Sequence, residues 1–129
     1  VYCGYLHKLK GLNNLMAYAK ANPERRVSVF GWGDLNPATL FEGFDNITFE
    51  GSKTHEEIAE VFKQSKAVFH SPIVNEPFCR MIGEALLCGV EEVIGNTEKI
   101  GSYLEFKNIG YEKFKEECEN AASIFWEKV

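Results

Sequence analysis

Paired cysteines, basic clusters and long apolar runs are all missing from this chain of 129 residues, and each absence excludes a class of protein. The four cysteines, Cys3, Cys79, Cys88 and Cys118, include no Cys-x-x-Cys pair and fall in apolar contexts. That pattern excludes a small disulfide scaffold and the common cysteine zinc sites, and it reads as reduced core thiols of a cytoplasmic protein. Lysine and arginine number 14 against 19 acidic residues, a net charge of −5, and no stretch gathers enough of them to cover polymer phosphate. Nucleic acid is therefore not an expected partner. No apolar run approaches the roughly 20 residues of a membrane span, and no leader-peptide pattern is present, so membrane association is expected only through an acceptor or a further domain. The three histidines, His7, His55 and His70, have neither metal-ligand spacing nor a triad partner. They read as structural or substrate-contact residues, and no metal is expected.

What is present is an ordinary globular composition, 45% hydrophobic and 13% aromatic, sufficient for one real core. Strand and helix patterns alternate. Residues 1–5, 27–31, 47–50, 67–70 and 90–94 read as strands. Leu12, Leu15, Met16 and Ala19 mark a first helix closed by Asn22-Pro23. A brief helix is expected near 39–41. Thr54 and Glu57 form a capping box ahead of a helix buried through Ile58, Ala59, Val61 and Phe62. Residues 95–110 read as loop with one short helical stretch, and Tyr111, Phe114, Cys118, Ala122 and Phe125 define a closing amphipathic helix. Repeated β-α order with short connections predicts right-handed crossovers and a parallel sheet covered on both faces. The expected fold class is thus α/β, a Rossmann-like doubly wound parallel sheet, with 1–129 forming one domain. Because Val1 lies inside an expected strand, the chain is expected to be a piece of a longer polypeptide.

The most informative segment is 75–89, where Glu76 and Glu84 bracket a loop-to-helix junction after an apolar strand. In open α/β sheets that junction is where ligands bind. Phe78, Met81, Ile82, Ala85 and Leu86 follow helical spacing, Pro77 suits the first helical position, Glu76 falls at or beside the N-cap, and Gly89 supplies the stop. Two readings of the charges stand side by side. Arg80 and Glu84 could form an i, i+4 ion pair with Glu76 complementing the helix dipole, or the two glutamates could serve a ligand. Lys10, just before the first helix, opposes the dipole there, so an anion beside it would satisfy both the lysine and the free N–H groups, against the alternative of a solvated lysine. Gly31-Trp-Gly33 is expected in a loop, and Trp32 either stacks on a base or packs on its own domain. A dinucleotide oxidoreductase is disfavoured, because the first turn lacks Gly-x-Gly-x-x-Gly.

Together, Gly4 with Lys10-Gly11, Gly31-x-Gly33, Ile47-Thr-Phe-Glu-Gly51, and Glu76-Pro-Phe with Glu84-Ala-Leu-Leu-Cys-Gly89 resemble the C-terminal donor-binding domain of retaining GT-B glycosyltransferases, the group 1 family, over residues 1–103. The resemblance implies a donor domain that binds a nucleotide-diphosphate sugar for retaining hexosyl transfer, without a metal or other cofactor, and whose partner is an N-terminal acceptor-binding domain. Lys10 would neutralise the diphosphate leaving group and Glu76 would hold the donor sugar; these are the implied catalytic residues. Glu84 would accept from the ribose hydroxyls, and the backbone N–H groups of Phe78, Cys79 and Arg80 would bind sugar or diphosphate oxygens. Gly4, Gly31, Gly33 and Ser52 complete the implied binding set. This chain departs from the family in having Tyr5 where arginine is usual, with Lys8 as a substitute cation, and Cys79 where glycine is common. Glu91 and Glu92 also replace a proline and an apolar position. The alternative to an active transferase is therefore a catalytically degenerate sugar-nucleotide-binding or interaction module.

Overall fold

The computed structural model describes residues 1–127, apart from the side chains of Lys8 and residues 121–127. The elements alternate as expected: β1 (Tyr2–Leu6), α1 (Leu12–Ala21), β2 (Val27–Gly33), α2 (Pro37–Leu40), β3 (Ile47–Gly51), α3 (His55–Gln64), β4 (Ala67–Phe69), α4 (Arg80–Leu87), β5 (Glu92–Ile94), α5 (Gly101–Ile109) and α6 (Tyr111–Glu127). Every strand pairing is parallel, in the orders β1-β2-β3 and β4-β5. The two sheets meet at Val1, whose carbonyl accepts from Phe69 N–H at 2.7 Å and whose nitrogen donates to the Ala67 carbonyl at 2.9 Å.

Strand alternation divides the core in two, because successive side chains of a strand point to opposite faces. Tyr2, Leu6, Val29 and Phe69 join Leu12, Leu15 and Ala19 of α1 in one cluster. Their neighbours Cys3, Phe30 and Val68 join Phe62 of α3 and Ile82, Ala85 and Leu86 of α4 in the other. A parallel layer with helices on both faces is the Rossmann-like arrangement. The local signals act as predicted in α3, where Thr54 Oγ1 accepts from Glu57 N–H at 3.2 Å and Glu57 Oε1 accepts from Thr54 N–H at 3.1 Å.

Four boundaries differ from expectation. Strand β2 continues two residues further, so Gly31-Trp32-Gly33 is paired strand rather than loop, with Gly31↔Gly4, Trp32↔Tyr5 and Gly33↔Leu6 in register. Helix α4 begins at Arg80, not at Pro77. The reason is non-local: Glu76 forms a bridge to Ile100, with its N–H donating to Lys99 O at 2.8 Å and its carbonyl accepting from Gly101 N–H at 2.9 Å. An N-cap carbonyl has to accept the first bond of its helix, and the Glu76 carbonyl is spent on Gly101 instead, so Glu76 lies three residues before the cap, which is Cys79. Residues 95–110 hold the nine-residue α5 rather than a loop. Strand β5 starts at Glu92, two residues later than predicted. Of the four free thiols, Cys3 and Cys79 are buried while Cys88 and Cys118 are half-buried, so only the first two are core residues. Phe125 and Trp126 of the predicted closing helix have side chains outside the described residues; its Phe114 is buried between Phe78 and Phe106.

Candidate functional site

Lys10 ends a short 3-10 turn, Lys8–Lys10, after β1, and Glu76 lies in the connection between β4 and α4. Separated by 66 positions in the chain, they meet at 3.0 Å through Lys10 Nζ and Glu76 Oε1. The backbone at Gly11 makes this approach possible. It sits at φ 80° as the N-cap of α1, and a Cβ there would stand 1.8 Å from the Ser71 carbonyl oxygen, so only glycine lets the two loops touch. The anion that Lys10 faces in this structure is thus the Glu76 carboxylate.

The second carboxylate oxygen of Glu76 lies 2.9 Å from Nε2 of His70, a buried residue at the end of β4. An ionised carboxylate only accepts hydrogen bonds, so Nε2 carries the proton. The other ring nitrogen, Nδ1, is buried with no hydrogen-bond partner among the described residues. Burial by itself would raise the Glu76 pKa, but hydrogen bonds from His70, Lys10 and Cys79 outweigh it and hold the carboxyl down at about 2. Burial pushes the Cys79 thiol the other way, up to about 12. Sequence reading named Glu76 and Lys10 but left His70 without a specific partner. The signal was its position at the carboxyl end of a core strand.

Among the described residues, one group has ligand atoms close enough for a metal ion: His70, Glu76 and Cys79, all within 4.8 Å of one another. The thiol is held protonated, and the Lys10 ammonium on Glu76 Oε1 stands where a cation would be repelled. The cluster therefore fits a hydrogen-bonded carboxylate better than a metal centre.

Glu84 occupies the second turn of α4, half exposed, with Oε2 4.0 Å from Nδ1 of His55 at the start of α3. Among the described residues Arg80 forms no ion pair with Glu84, so the simple i, i+4 pairing is not what retains the charge. Phe78 and Cys79 precede the helix, so the N–H groups at its N-terminus begin with Arg80 rather than with Phe78. Phe78 is half exposed and stacks on Phe114 at 6.2 Å between ring centroids.

Gly4, Gly31 and Ser52 line a single cavity of about 310 Å³, together with Tyr5, Trp32, Lys53 and Ile58. It opens between the ends of β1 and β2 and the start of α3. Gly33, Lys10, Glu76 and Glu84 do not line it. Gly33 instead packs against the Leu6 backbone, which comes within 2.5 Å of where its Cβ would stand. Tyr5, in the usual arginine position, donates its hydroxyl to Asp34 Oδ1 at 2.9 Å and meets Trp32 edge-to-face at 4.9 Å. The Lys8 side chain lies outside the described residues. A larger cavity of about 580 Å³, lined by Arg25, Arg26, Lys66 and Val1 among others, sits at the opposite, amino ends of the strands, away from every predicted site residue.

A family model described as glycosyl transferases group 1 matches residues 1–122 of the chain. The chain belongs to that family. As a group 1 glycosyl transferase sequence it is tied to glycosyl transfer in general, and the matched span takes in both glutamates, Lys10 and the glycine-floored cavity. No curated protein matches it. Among the described residues of this group 1 chain, no helix is long and apolar enough to cross a membrane.

Proposed function

We propose that this chain is the donor-binding domain of a glycosyltransferase that moves a hexose from a nucleotide diphosphate with retention, and that it works with an acceptor-binding domain carried elsewhere in a longer polypeptide. The observation that carries the reading is the meeting of Lys10 and Glu76, at 3.0 Å, where the loops after β1 and β4 converge. That is the carboxyl end of a parallel layer, the ligand side of open α/β folds. Group 1 membership supplies the reaction class.

The chemistry follows from the residues. When the bond to the sugar breaks, charge grows on the departing diphosphate, and the Lys10 ammonium with the N–H groups at the start of α4 stabilises it more in the transition state than before. Glu76 stays ionised at neutral pH because its pKa is held near 2, so it accepts from sugar hydroxyls instead of donating a proton. Glu84 accepts from the ribose. That role is supported by its 4.0 Å approach to His55, which stands three residues before the cavity-lining Ile58 on α3.

A catalytically degenerate binding module is the second reading, favoured by one observation. Tyr5 stands in the usual arginine position, its hydroxyl committed to Asp34, so it offers the diphosphate no charge.

Isothermal titration with UDP, GDP and ADP, and with their sugar conjugates, tests the donor site. One nucleoside diphosphate is expected to bind, and Glu84→Ala is expected to weaken it about tenfold or more, as the loss of hydrogen bonds to a charged acceptor implies. Absence of binding by a demonstrably folded chain would remove the donor-site reading.

A further inference from the structure

Resting on the donor-site reading above, we propose that His70 is a positioning residue of that site: it is the permanent partner of Glu76, whereas Lys10 is an exchangeable one that passes to the diphosphate when the donor arrives. The two hold the two oxygens of one carboxylate, His70 Nε2 on Oε2 at 2.9 Å and Lys10 Nζ on Oε1 at 3.0 Å. The distances are alike, but the surroundings differ.

Solvent access is the first difference. The His70 side chain is 5% exposed and that of Lys10 44%, with Glu76 between them at 13%. An incoming anion reaches the ammonium from solvent, but it cannot approach the imidazole without opening the domain. Attachment is the second. His70 continues the line of β4, where its N–H donates to Ile94 O at 2.9 Å, and the Gly95 backbone passes so near that a Cβ there would stand 2.1 Å from the His70 carbonyl oxygen. Ser71, next in the chain, is held as well, its hydroxyl accepting from Asn96 N–H and from Asn14 Nδ2, each at 3.2 Å. The other ring nitrogen of His70 has no partner among the described residues, so no second bond draws the imidazole away from Glu76. Lys10, by contrast, ends a three-residue turn and reaches Glu76 through a flexible four-carbon stem.

A diphosphate carries more charge than a carboxylate, so it takes the ammonium and then stands as a like charge beside Glu76. A like charge favours protonation of a carboxyl, and a side chain released from its lysine would also turn away. The His70 N–H on Oε2 opposes both, because it stabilises the ionised form and keeps the carboxylate in place, with Oε1 left to accept from a sugar hydroxyl. The Cys79 thiol faces the same carboxylate but is a weak donor.

Isothermal titration with UDP-glucose, GDP-mannose and ADP-glucose, and with UDP, GDP and ADP, tests the proposal on the parent chain, His70→Asn, His70→Gln, Glu76→Ala and the double variant of His70→Asn with Glu76→Ala. A glutamine amide nitrogen falls near the place of Nε2, whereas an asparagine amide stops at the level of Nδ1. His70→Asn should bind the sugar conjugate about tenfold more weakly, and the bare nucleoside diphosphate within about threefold of the parent, as the loss of one hydrogen bond to a charged acceptor implies. His70→Gln should restore the sugar conjugate to within about threefold. Glu76→Ala, which frees Lys10, should bind the bare diphosphate at least as tightly as the parent. His70→Asn should add nothing in that background, because it acts only through Glu76. Equal losses for both ligands, no recovery in His70→Gln, or additive losses in the double variant would reduce His70 to a structural residue and overturn the proposal. Circular dichroism checks that the variants fold. Nitrogen-15 spectra of the parent need no variant: on saturation with the nucleoside diphosphate the Lys10 Nζ signal should shift while the His70 Nε2–H signal stays, and loss of the latter would equally overturn the exchange. Failure of every nucleotide to bind the folded parent would overturn the donor-site reading, and the exchange with it.

Discussion

Glu76 concentrates the electrostatics of this domain in one side chain. Its carboxylate receives Lys10 on one oxygen and His70 on the other, and its pKa falls from the ordinary 4.5 to about 2. A carboxyl whose pKa is lower in the folded than in the unfolded state stabilises the fold above its unfolded value and loses that contribution as pH falls through the folded one. The contribution is therefore present above about pH 4.5 and disappears between there and about pH 2. Lys10 is 44% exposed, so solvent screens its half of the arrangement and the worth is set at about 1–2 kcal/mol, below what the whole shift would imply. Urea unfolding of Glu76→Gln should show that loss at pH 7 and a parallel narrowing of the gap to the parent as the pH is lowered from 5 to 2. An unchanged gap would mean that Glu76 is not held by these partners. The sequence showed Glu76 and Lys10 because each stands at a turn after a strand. It could not show His70 as their partner, since spacing alone does not say that a ring at a strand end and a carboxylate six positions further on turn toward each other.

At the scale of elements, the parts governed by neighbours in the chain were legible and the parts governed by distant contacts were not. The capping box at Thr54 and Glu57 needs only four residues, and it forms as read. The start of α4 depends on residues 24 positions away in α5 and its entry turn, so Pro77 misled. Helix α5 was legible only as a short stretch, because its apolar side is little more than Tyr103 and Phe106 and its first turn is held by a polar contact: the buried Ser102 hydroxyl donates to the Cys79 carbonyl at 3.0 Å. The close passage of α1 beneath the β4–α4 connection makes a sharper test. Gly11 and Gly43 have nearly the same φ, 80° and 84°, but a Cβ on Gly11 would stand 1.8 Å from the Ser71 carbonyl oxygen, whereas among the described residues one on Gly43 would meet nothing within 4 Å. Gly43→Ala should cost about 1 kcal/mol, the left-handed penalty alone. Gly11→Ala should cost at least about 2 kcal/mol more, since backbone must move to admit the methyl. Urea midpoints of the two variants give the difference directly. Equal losses would show that the loops carrying Lys10 and Glu76 are free to separate.

Across the whole molecule, the sheet was read as one and is seen as two, and the physical reason is strand length. The β1-β2 ladder spans five residue pairs and β4-β5 only three, with Val1 providing the two hydrogen bonds between them. Alternation still places the halves on shared cores, Phe69 of β4 packing with Tyr2 and Val29, and Cys3 of β1 with Val68. The site spans this junction: Lys10 follows β1 in one half and Glu76 follows β4 in the other. A ligand that binds both therefore crosses the weakest seam of the layer. Regions with fewer ladder bonds and more exposed backbone open at lower free energy than the rest. Glu92 begins β5 exposed and Val93 and Ile94 are only half-buried, whereas Val29 and Phe30 at the centre of β2 are buried. Native-state hydrogen exchange should accordingly find the amides of Val93 and Ile94 opening well before those of Val29 and Phe30. Saturation with whichever nucleoside diphosphate binds should raise protection of the β4–α4 connection, because the ligand holds the two halves in one arrangement. Uniform protection across β2 and β5 in the free chain would instead mean that the packed cores on either face, and not the hydrogen-bond ladder, set the cooperative unit.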